Sequence, residues 1–520
     1  MTDAPLRWCT TACTLALLLL FGPVASHAQD DGPVGPTRAL PADTAITETA
    51  QVTIEGEQVP YRVTTGTQPV YGEDGTTNAA LHYTYYERSD VDDRTRRPIV
   101  VSFNGGPGSG SLWMHLGYTS PKRLKISDEG APTQPYGIVD NEHSILDVAD
   151  IVYVNPVNTG LSRVLDPEVD EEKYFGVNAD VSYLADWIDT FISRHDRWRS
   201  PKFLIGESYG TTRVSGLAGE LQNSHWMYLN GVILVSPTGL GMEPPGPSPR
   251  SEALKLPYYT ATAWYHNKLP QALQSRDLPD LLAEVEQYTI NEYIPALSRG
   301  GALEDARRQE VAQEVARWSG LSEQFVLNQN LAVPSDAFWK ELLRDEGYTV
   351  GRLDSRYKGR DAKNAGSEYD YPAELASWNH AFAPAINHYL RNDLGFETDL
   401  KYNLFGSVYP WDDEDNNTGE QLRGAMAQNP YLHVMVQSGY FDGATDYFSA
   451  KYVMWNLDRR GIFQDRMRFE GYRSGHMMYL RDDDLATSNQ HLREFFEEAT
   501  PEAGQPAQYG GPMGGADQQE

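Results

Sequence analysis

The stretch "KFLIGESYGTT" (residues 202–212) decides the fold of this chain. Its first residues, "KFLI", are typical of a short strand, and "TTRVSGLAGELQ" (211–222) has a helical pattern. Between them, G-E-S-Y-G matches the G-x-S-x-G pattern of a nucleophile elbow, in which a serine occupies a sharp strand-to-helix turn. Ser208 is therefore a candidate nucleophile. Glu207 raises a question, because its charge would repel a developing alkoxide beside it.

Short apolar runs rich in β-branched residues recur on both sides of this turn. Runs of this kind suit strands that are buried on both faces of a parallel sheet. They are "PIVVSF" (98–103), "DIVYVNP" (150–156), "KFLIG" (202–206), "GVILVSP" (231–237) and "LHVMVQSG" (432–439). Helical patterns such as "VSYLADWIDTFISRH" (181–195) lie between several of them. This alternation predicts a doubly wound α/β core.

Two further stretches alternate and are rich in valine, threonine and tyrosine. They are "AQVTIEGEQVPYRVTTG" (50–66) and "ALHYTYYERS" (80–89), and they precede the first apolar run. Alternation with these residue types is typical of antiparallel strands. We therefore expect an antiparallel edge on an otherwise parallel sheet.

The rhythm of strands and helices is interrupted between residues 241 and 400, where the pattern is mostly helical. An insertion of this size between two sheet strands predicts a helical cap over the carboxyl edge of the sheet. We therefore expect a core built from residues 46–240 and 401–500, with the cap at 241–400. Residues 29–45 are predicted to be a flexible leader, and 501–520 a disordered tail, because both are polar and rich in glycine or proline.

Residues 1–28 have the features of a secretory signal peptide. The apolar run "TLALLLLFGPVA" (14–25) is shorter than the ~20 residues that span a membrane, and "SHA" (26–28) resembles a cleavage site. Both cysteines of the chain, Cys9 and Cys13, lie in this segment. The mature chain is thus expected to lack cysteine nucleophiles and thiolate metal sites. A cysteine-free exported protein indicates a bacterial periplasm or exterior.

The charge of the chain argues against two classes of partner. Its 520 residues carry a formal net charge of −30, which repels phosphate backbones and anionic headgroups. We therefore expect neither nucleic acid nor a membrane as a partner.

Metal and cofactor motifs are missing as well. The chain contains neither HExxH nor a phosphate-binding GxxxxGK[ST] motif. The acidic "WDDEDNN" (411–417) lacks the spaced ligands of a calcium loop, and we interpret it as a solvated loop. No metal ion or cofactor is therefore expected. "GRLDSRY" (351–357) mixes arginine and aspartate, and an internal ion-pair turn is the default interpretation.

A serine nucleophile needs a base and an acid that orients it. In the α/β-hydrolase arrangement these follow the serine in the order acid, then histidine, each in a loop after a late strand. Asp442 follows an apolar strand in "LHVMVQSGYFDGATDYF" (432–448), and Asp446 is a rival four residues on. His476 follows another predicted strand in "MRFEGYRSGHMMYL" (467–480), beside a glycine. These residues are the candidate acid and base.

Five blocks of the sequence together carry a resemblance to a known family. They are "NGGPGSGS" (104–111), "NPVNTGLSR" (155–163), "IGESYG" (205–210), "SGYFDGAT" (438–445) and "GYRSGHMMYL" (471–480). In their order and spacing, across residues 95–495, they look like the serine carboxypeptidase family, its bacterial branch in particular. The first block is rich enough in glycine to supply unobstructed backbone N–H groups for an oxyanion hole.

The resemblance implies an α/β-hydrolase fold with a helical cap. It also implies that the protein removes C-terminal residues from peptides at acidic pH. By position, it makes Ser208 the nucleophile, Asp442 the acid and His476 the base. It places the oxyanion N–H groups on Gly106 and Tyr209.

The resemblance also suggests a role for the glutamate beside the nucleophile. In the family, the residues at the positions of Asn104, Gly105 and Glu207 bind the terminal carboxylate of the peptide. A glutamate can do so only if the two carboxyl groups share a proton, since two close negative charges cannot both persist. The shared proton raises the apparent pKa of the pair, which would explain an acidic optimum.

The chain departs from the family pattern near this set. Ser102 stands where the family has a tryptophan, and Ser109 replaces a loop cysteine. The glutamate that partners the elbow glutamate is absent from "WMHLGYTSPKRL" (113–124), which offers His115 or Tyr118 instead. The departures affect the recognition of the carboxylate and leave the candidate triad intact.

Three functions are consistent with these residues. The first is an exported carboxypeptidase whose substrate is a peptide with a free C-terminus. The second keeps the triad but acts as an esterase, an acyltransferase or an aminopeptidase-like hydrolase. The third is a catalytically silent hydrolase fold used for binding, which predicts a broken triad, whereas all three members are present here.

Overall fold

A computed structural model of the chain describes residues 37–243 and 246–504. The predicted signal peptide (1–28), the first part of the leader (29–36) and most of the tail (505–520) lie outside the described residues. The first strand begins at Thr44, inside the predicted leader.

Fourteen strands occur among the residues that the structure describes, and most of them belong to one sheet. They are β1 (Thr44–Ile54), β2 (Glu57–Tyr71), β3 (Thr77–Arg88), β4 (Ile99–Phe103), β5 (Lys122–Leu124), β6 (Ile138–Asp140), β7 (Asp150–Val154), β8 (Arg163–Val164), β9 (Lys202–Glu207), β10 (Gly231–Val235), β11 (Thr349–Val350), β12 (Lys358–Gly359), β13 (His433–Gly439) and β14 (Met467–Tyr472).

The central sheet has the strand order β1-β2-β3-β7-β4-β9-β10-β13-β14, and β8 pairs with β3. The six strands from β7 to β14 in this order are parallel. On the other side, β1, β2 and β3 pair in antiparallel fashion, and β3 is antiparallel to β7. The predicted parallel sheet with an antiparallel edge is confirmed.

Helices follow most of the parallel strands, and a long series of them precedes β13. They are α1 (Leu112–Met114), α2 (Val177–Arg194), α3 (Tyr209–Ser224), α4 (Pro249–Leu254), α5 (Leu256–Tyr265), α6 (Gln271–Gln274), α7 (Leu278–Tyr288), α8 (Ile294–Leu297), α9 (Asp305–Ser319), α10 (Glu323–Asn328), α11 (Ser335–Glu341), α12 (Ala373–His388), α13 (Thr418–Gln428), α14 (Tyr447–Leu457) and α15 (Asp482–Ala499). A π-helical turn, His115–Thr119, continues α1.

Each face of the sheet is covered by helices. On one face, Val100 and Ile205 belong to a core that includes residues of α12 and α15. On the other face, Val101 and Leu204 pack with residues of α2 and α3. Because neighbouring residues of a strand point to opposite faces, burial on both sides requires the continuous apolar runs seen in the sequence. The strands of the sheet are thus packed on both faces.

The helices from α4 to α11 have a hydrophobic core of their own. This core also takes in Phe441, Tyr447 and Phe448, which follow β13. Helix α12 belongs to the core of the main sheet instead, where Phe382 packs on Trp113 with ring centroids 4.8 Å apart. The helical insertion therefore contributes both a separate cap and a helix of the main body, and the boundary expected at residue 400 stays a prediction.

Within residues 37–243 and 246–504, no helix has the length and apolar character needed to cross a membrane.

Candidate active site

Ser208 lies at the turn between β9 and α3. Its backbone has φ 58° and ψ −127°, which side chains rarely adopt, and its N–H donates to the Val235 carbonyl at 2.9 Å. A methyl group on Gly206 would overlap the carbonyl of Gly210. A methyl group on Gly210 would lie 3.0 Å from the carbonyl oxygen of Asn104. Both glycines are thus required by close backbone approach, as in a nucleophile elbow.

Asp442 and His476 come together from the loops that follow β13 and β14. The Nδ1 atom of His476 lies 2.7 Å from Oδ2 of Asp442, whose side chain is fully buried. The backbone N–H of Ala444 donates to Asp442 Oδ1 at 2.8 Å, and the Thr445 hydroxyl donates to Oδ2 at 2.7 Å. These donors fix the carboxylate, and Thr445 was not anticipated from the sequence.

The contact with Asp442 determines how the imidazole of His476 can act. A carboxylate accepts hydrogen bonds, so Nδ1 carries the proton and Nε2 is left as the acceptor. Burial disfavours the charged ring, but the Asp442 carboxylate outweighs that effect and raises the pKa of His476. The imidazolium that forms when His476 takes up a proton is therefore stabilised.

The rival acid, Asp446, has a different task. Its Oδ1 accepts the backbone N–H of Ser449 at 2.9 Å and so caps the first turn of α14. Burial raises the pKa of Asp446 to about 6. It forms no hydrogen bond with His476, so the two aspartates are distinguished by geometry.

The glycine-rich loop after β4 lies directly against the elbow. A methyl group on Gly105 would lie 2.6 Å from the carbonyl oxygen of Glu207 and would also overlap the backbone nitrogen of Tyr209. Tyr209 is the first residue of α3, so its N–H has no acceptor within the helix. Among the described residues, no carbonyl accepts the N–H of Gly106. Two donors can therefore face one oxygen beside Ser208.

Asn104 is held by a buried ion pair that sequence reasoning missed. Its carbonyl oxygen accepts a hydrogen bond of 2.6 Å from the Arg213 guanidinium. Arg213 in turn pairs with Asp180 at 2.7 Å, and both side chains are almost fully buried. No local motif marks these residues, because α2 and α3 bring them together only in the fold.

Glu207 is buried next to the candidate nucleophile, Ser208, and both of its carboxyl oxygens have partners. The side-chain amide of Asn104 donates to Oε2, and the Tyr479 hydroxyl donates to Oε1 at 2.7 Å. Burial raises the pKa of Glu207, while these two hydrogen bonds oppose the rise. The carboxyl group is thus poised to hold a proton above the ordinary range of a glutamate.

The partner of Glu207 is neither of the two residues that the sequence suggested. His115 bonds to the Tyr86 hydroxyl at 2.7 Å, and the Tyr118 hydroxyl donates to Gln437 at 2.8 Å. Tyr118 is related to Glu207 only through Tyr479, because the rings of the two tyrosines stack with their centroids 4.8 Å apart. The signal for Tyr479 was its place three residues after His476, inside the same sequence block.

A segment of the helical insertion, residues 351–355, supports both late loops. The backbone N–H of His476 donates to the Leu353 carbonyl at 2.7 Å, and that of Gly443 donates to the Arg352 carbonyl at 2.9 Å. A methyl group on Gly475 would lie 2.5 Å from this segment. The predicted ion-pair turn is confirmed here by Arg356 and Asp354, whose charged atoms are 2.6 Å apart.

A cavity of about 430 Å³ opens over these groups. Its polar floor includes Asn104, Glu207, Ser208 and His476. Its apolar wall is formed by Trp113, Leu353, Leu375, Trp378, Phe405 and Met477. The arrangement provides a hydroxyl, an oriented base, two backbone donors and an apolar surface, which are the parts needed for acyl transfer.

Part of the chain matches the sequence model of a known family. The sequence model of the family described as serine carboxypeptidase matches residues 65–238. The match includes Ser208 and ends before Asp442 and His476. No curated protein sequence matches the chain significantly.

Solved structures resemble the chain in fold. Kex1(delta)p, a prohormone-processing carboxypeptidase from Saccharomyces cerevisiae, is 14% identical with a TM-score of 0.51, and the match covers 85% of this chain and 92% of that one. A putative aryl esterase from Burkholderia cenocepacia is 12% identical with a TM-score of 0.36, over 83% and 98% of the two chains. The first likeness and the sheet topology show an α/β-hydrolase fold.

Proposed function

We propose that this chain, which belongs to the serine carboxypeptidase family by its match over residues 65–238, releases C-terminal residues from peptides through an acyl-enzyme on Ser208. The observation that carries the proposal is the 2.7 Å contact between His476 and Asp442, in loops beside a strained serine elbow. Two elements of acyl transfer, an oriented base and a half-buried hydroxyl that lines the cavity, are thereby supplied by separate parts of the fold.

In the proposed reaction, Nε2 of His476 takes the proton of the Ser208 hydroxyl as its oxygen attacks the scissile carbonyl. Asp442 orients the ring and stabilises the imidazolium. The N–H groups of Gly106 and Tyr209 stabilise the oxyanion of the tetrahedral intermediate. His476 then gives its proton to the departing amine. In the second half of the reaction, His476 takes a proton from a water molecule as it attacks the acyl-enzyme, and returns that proton to the Ser208 oxygen as the acyl product leaves.

The substrate side of the proposal rests on Asn104, Gly105 and Glu207. The raised pKa of Glu207 keeps it protonated to higher pH than an ordinary glutamate, so that it can donate a proton to a terminal carboxylate. The apolar wall of the cavity, which includes Trp113 and Trp378, suits side chains that flank the scissile bond. We propose a peptide with a free C-terminus as the substrate. The signal-like segment at 1–28 supports export to the periplasm or exterior.

The test compares Ser208→Ala with Ser215→Ala. Ser215 is a buried serine of the same helix, α3, and its hydroxyl has no hydrogen-bond partner among the described residues. On N-blocked dipeptides we expect S208A to lose at least about 10³-fold in kcat, because the nucleophile is removed, and S215A to retain activity. Unchanged turnover in S208A would refute the proposal.

The choice of acid is tested by a second pair of variants. Asp442→Asn removes the acceptor that fixes the tautomer of His476, and a loss of about 10⁴-fold in kcat is expected. Asp446→Asn preserves the cap of α14, since asparagine also caps helices well. Equal losses in the two variants would contradict the assignment. Equal hydrolysis of a peptide with a free C-terminal carboxylate and of the same peptide with an amidated C-terminus would favour an esterase or aminopeptidase-like hydrolase on the same triad.

A further inference from the structure

Arg352 is a cation inside the candidate active site that the mechanism above does not use. It lines the same cavity as Ser208, Glu207 and His476. Among the described residues that line this cavity, it is the one lysine or arginine. Its side chain is exposed, whereas Arg356, four residues on, is buried in the ion pair with Asp354.

The guanidinium of Arg352 has no partner of its own. Among the residues that the structure describes, it forms neither an ion pair nor a hydrogen bond. The nearby acid is Glu374, whose Oε1 accepts the backbone N–H of Leu353 at 2.8 Å. Glu374 is fully buried, and burial raises its pKa, which favours the neutral form. The positive charge of Arg352 is thus left available to a ligand.

The backbone of Arg352 is fixed to the catalytic loops on both sides. Its carbonyl accepts the N–H of Gly443, next to Asp442, at 2.9 Å. The carbonyl of the following residue, Leu353, accepts the N–H of His476 at 2.7 Å. The side chain therefore starts from a fixed point beside the base, and its charge opposes protonation of His476.

The site needs a positive charge for the substrate that the proposed function gives it. Both carboxyl oxygens of Glu207 are already engaged by Asn104 and Tyr479, and the second glutamate of the family pattern is absent. The chain as a whole carries a net charge of −30, which disfavours an anionic group in the cavity. A guanidinium offsets this field and binds a carboxylate through two parallel hydrogen bonds.

We propose that Arg352 binds the terminal carboxylate of the peptide and so determines the preference for a free C-terminus. The inference rests on the proposed carboxypeptidase function. It assigns to a residue of the helical insertion the part of this task that the family pattern gives to the second glutamate, which this chain lacks. Arg352 is not required for attack by Ser208, so binding and chemistry can be separated.

The experiment compares Arg352→Gln with Arg360→Gln. Arg360 is an exposed arginine near the same segment, and its guanidinium binds the Tyr348 hydroxyl and does not line the cavity. The substrates are N-blocked dipeptides that end in alanine or in aspartate. A phosphonate probe without a carboxylate reports on the reactivity of Ser208 by itself.

We expect R352Q to lose about 10- to 100-fold in kcat/KM on the alanine peptide, through KM, since a hydrogen-bonded charge is lost. R360Q should match the wild type. Arg352→Lys should lose less than R352Q, because lysine keeps the positive charge but cannot form the two parallel hydrogen bonds of a guanidinium. Phosphonate labelling followed against pH should reach the same limiting rate in all variants, and in R352Q its decline in acid should begin at higher pH because Arg352 opposes protonation of His476.

Three results would overturn the inference. They are an unchanged KM in R352Q, a loss in R352Q confined to the aspartate peptide, and a parallel loss in the limiting rate of phosphonate labelling. The first two leave Ser208-dependent hydrolysis in place and so do not affect the proposed function. The proposed function itself would be refuted by a different result, namely unchanged peptide hydrolysis in S208A.

Discussion

The hydroxyl of Tyr479 donates a hydrogen bond of 2.7 Å to Oε1 of Glu207, the residue just before Ser208. The two residues are 272 positions apart in the chain. Tyr479 comes from the loop that carries His476, and its ring is stacked on Tyr118 at 4.8 Å. The loop of His476 therefore supplies a hydrogen bond that favours the ionised form of Glu207 against the effect of burial.

Tyr479→Phe should shift the pH dependence of hydrolysis. The hydrogen bond favours ionised Glu207, so its loss should raise the pKa of Glu207 further. Activity that needs neutral Glu207 should then persist to higher pH. The charge of Glu207 also raises the pKa of His476, so the acidic limb should move to lower pH. Profiles of kcat/KM against pH on a free-acid peptide measure both limbs.

The matched control is Tyr472→Phe. Tyr472 is another buried tyrosine, and its hydroxyl bonds to Gln437 at 3.0 Å and to His491 rather than to Glu207. In this variant both limbs of the profile of kcat/KM against pH should lie where they do in the wild type. Identical shifts in the two variants, or an alkaline limb that stays in place in Y479F, would show that Tyr479 does not set the charge of Glu207.

Gly475→Ala should impair catalysis from outside the triad. The added methyl group would lie 2.5 Å from the Leu353 carbonyl and from Asp354 Cβ, so segment 351–355 or the loop of His476 must move. We expect a cost of about 1–3 kcal/mol in the free energy of unfolding. Because a misplacement near 1 Å can cost about 10²-fold in rate, kcat should fall by a similar factor. Urea unfolding and peptide hydrolysis provide the two measurements.

The control is Gly424→Ala, at a glycine where an added methyl group meets no other atoms. It lies within α13, and no heavy atom lies within 4 Å of the position of its added methyl group. Alanine in a helix interior should stabilise the protein by about 0.5–1 kcal/mol, and activity should be unchanged. If the Gly475→Ala variant were as active as Gly424→Ala, segment 351–355 would have moved to accept the methyl group without displacing His476.

Asp446→Asn should change how stability depends on pH. Burial raises the pKa of Asp446 from 3.8 to about 6. The stability contributed by its neutral form is complete below about 3.8 and is lost as the pH rises through about 6. Asparagine does not ionise, so the stability of the variant relative to the wild type should increase by about 3 kcal/mol from acid to neutral pH. Urea unfolding at pH 4 and at about pH 7 measures the change.

Asp458→Asn should show the opposite trend. Burial favours the neutral form of Asp458, but backbone N–H groups, including that of Phe463 at 2.8 Å, outweigh it and lower the pKa. The contribution of this carboxylate is present above its unfolded pKa and is lost in acid. D458N should therefore be destabilised at neutral pH and less so in acid. Parallel pH trends in the two variants would contradict the assignment of the shifts.

The elements near the active site could be predicted because their signals are local. Residues 202–206 form an apolar run that suits a doubly buried strand, and Gly206 and Gly210 mark a turn whose backbones approach closely. The order of Ser208, Asp442 and His476 along the chain follows from the order of parallel strands in the sheet. The contact of His476 with Asp442 is consistent with that order.

The residues that were missed have no local signal. In the sequence Tyr479 belongs to the block that contains His476, and its contact with Glu207 depends on how the loop after β14 folds back over the elbow. Arg352 was interpreted as part of an ion-pair turn, since its sequence neighbours Asp354 and Arg356 do form one. Only the position of the segment in the fold distinguishes the paired arginine from the unpaired one.

The sequence by itself determined the class of sheet, the serine elbow and the three candidate catalytic residues, because periodicity, glycine positions and strand order are properties of the chain. The tertiary structure alone decided what surrounds Glu207 and which cation faces the cavity. Those features depend on burial and on contacts between distant segments, such as that of Tyr479 with Glu207. A buried carboxyl group takes its protonation state from such neighbours, and their identity is set by the fold.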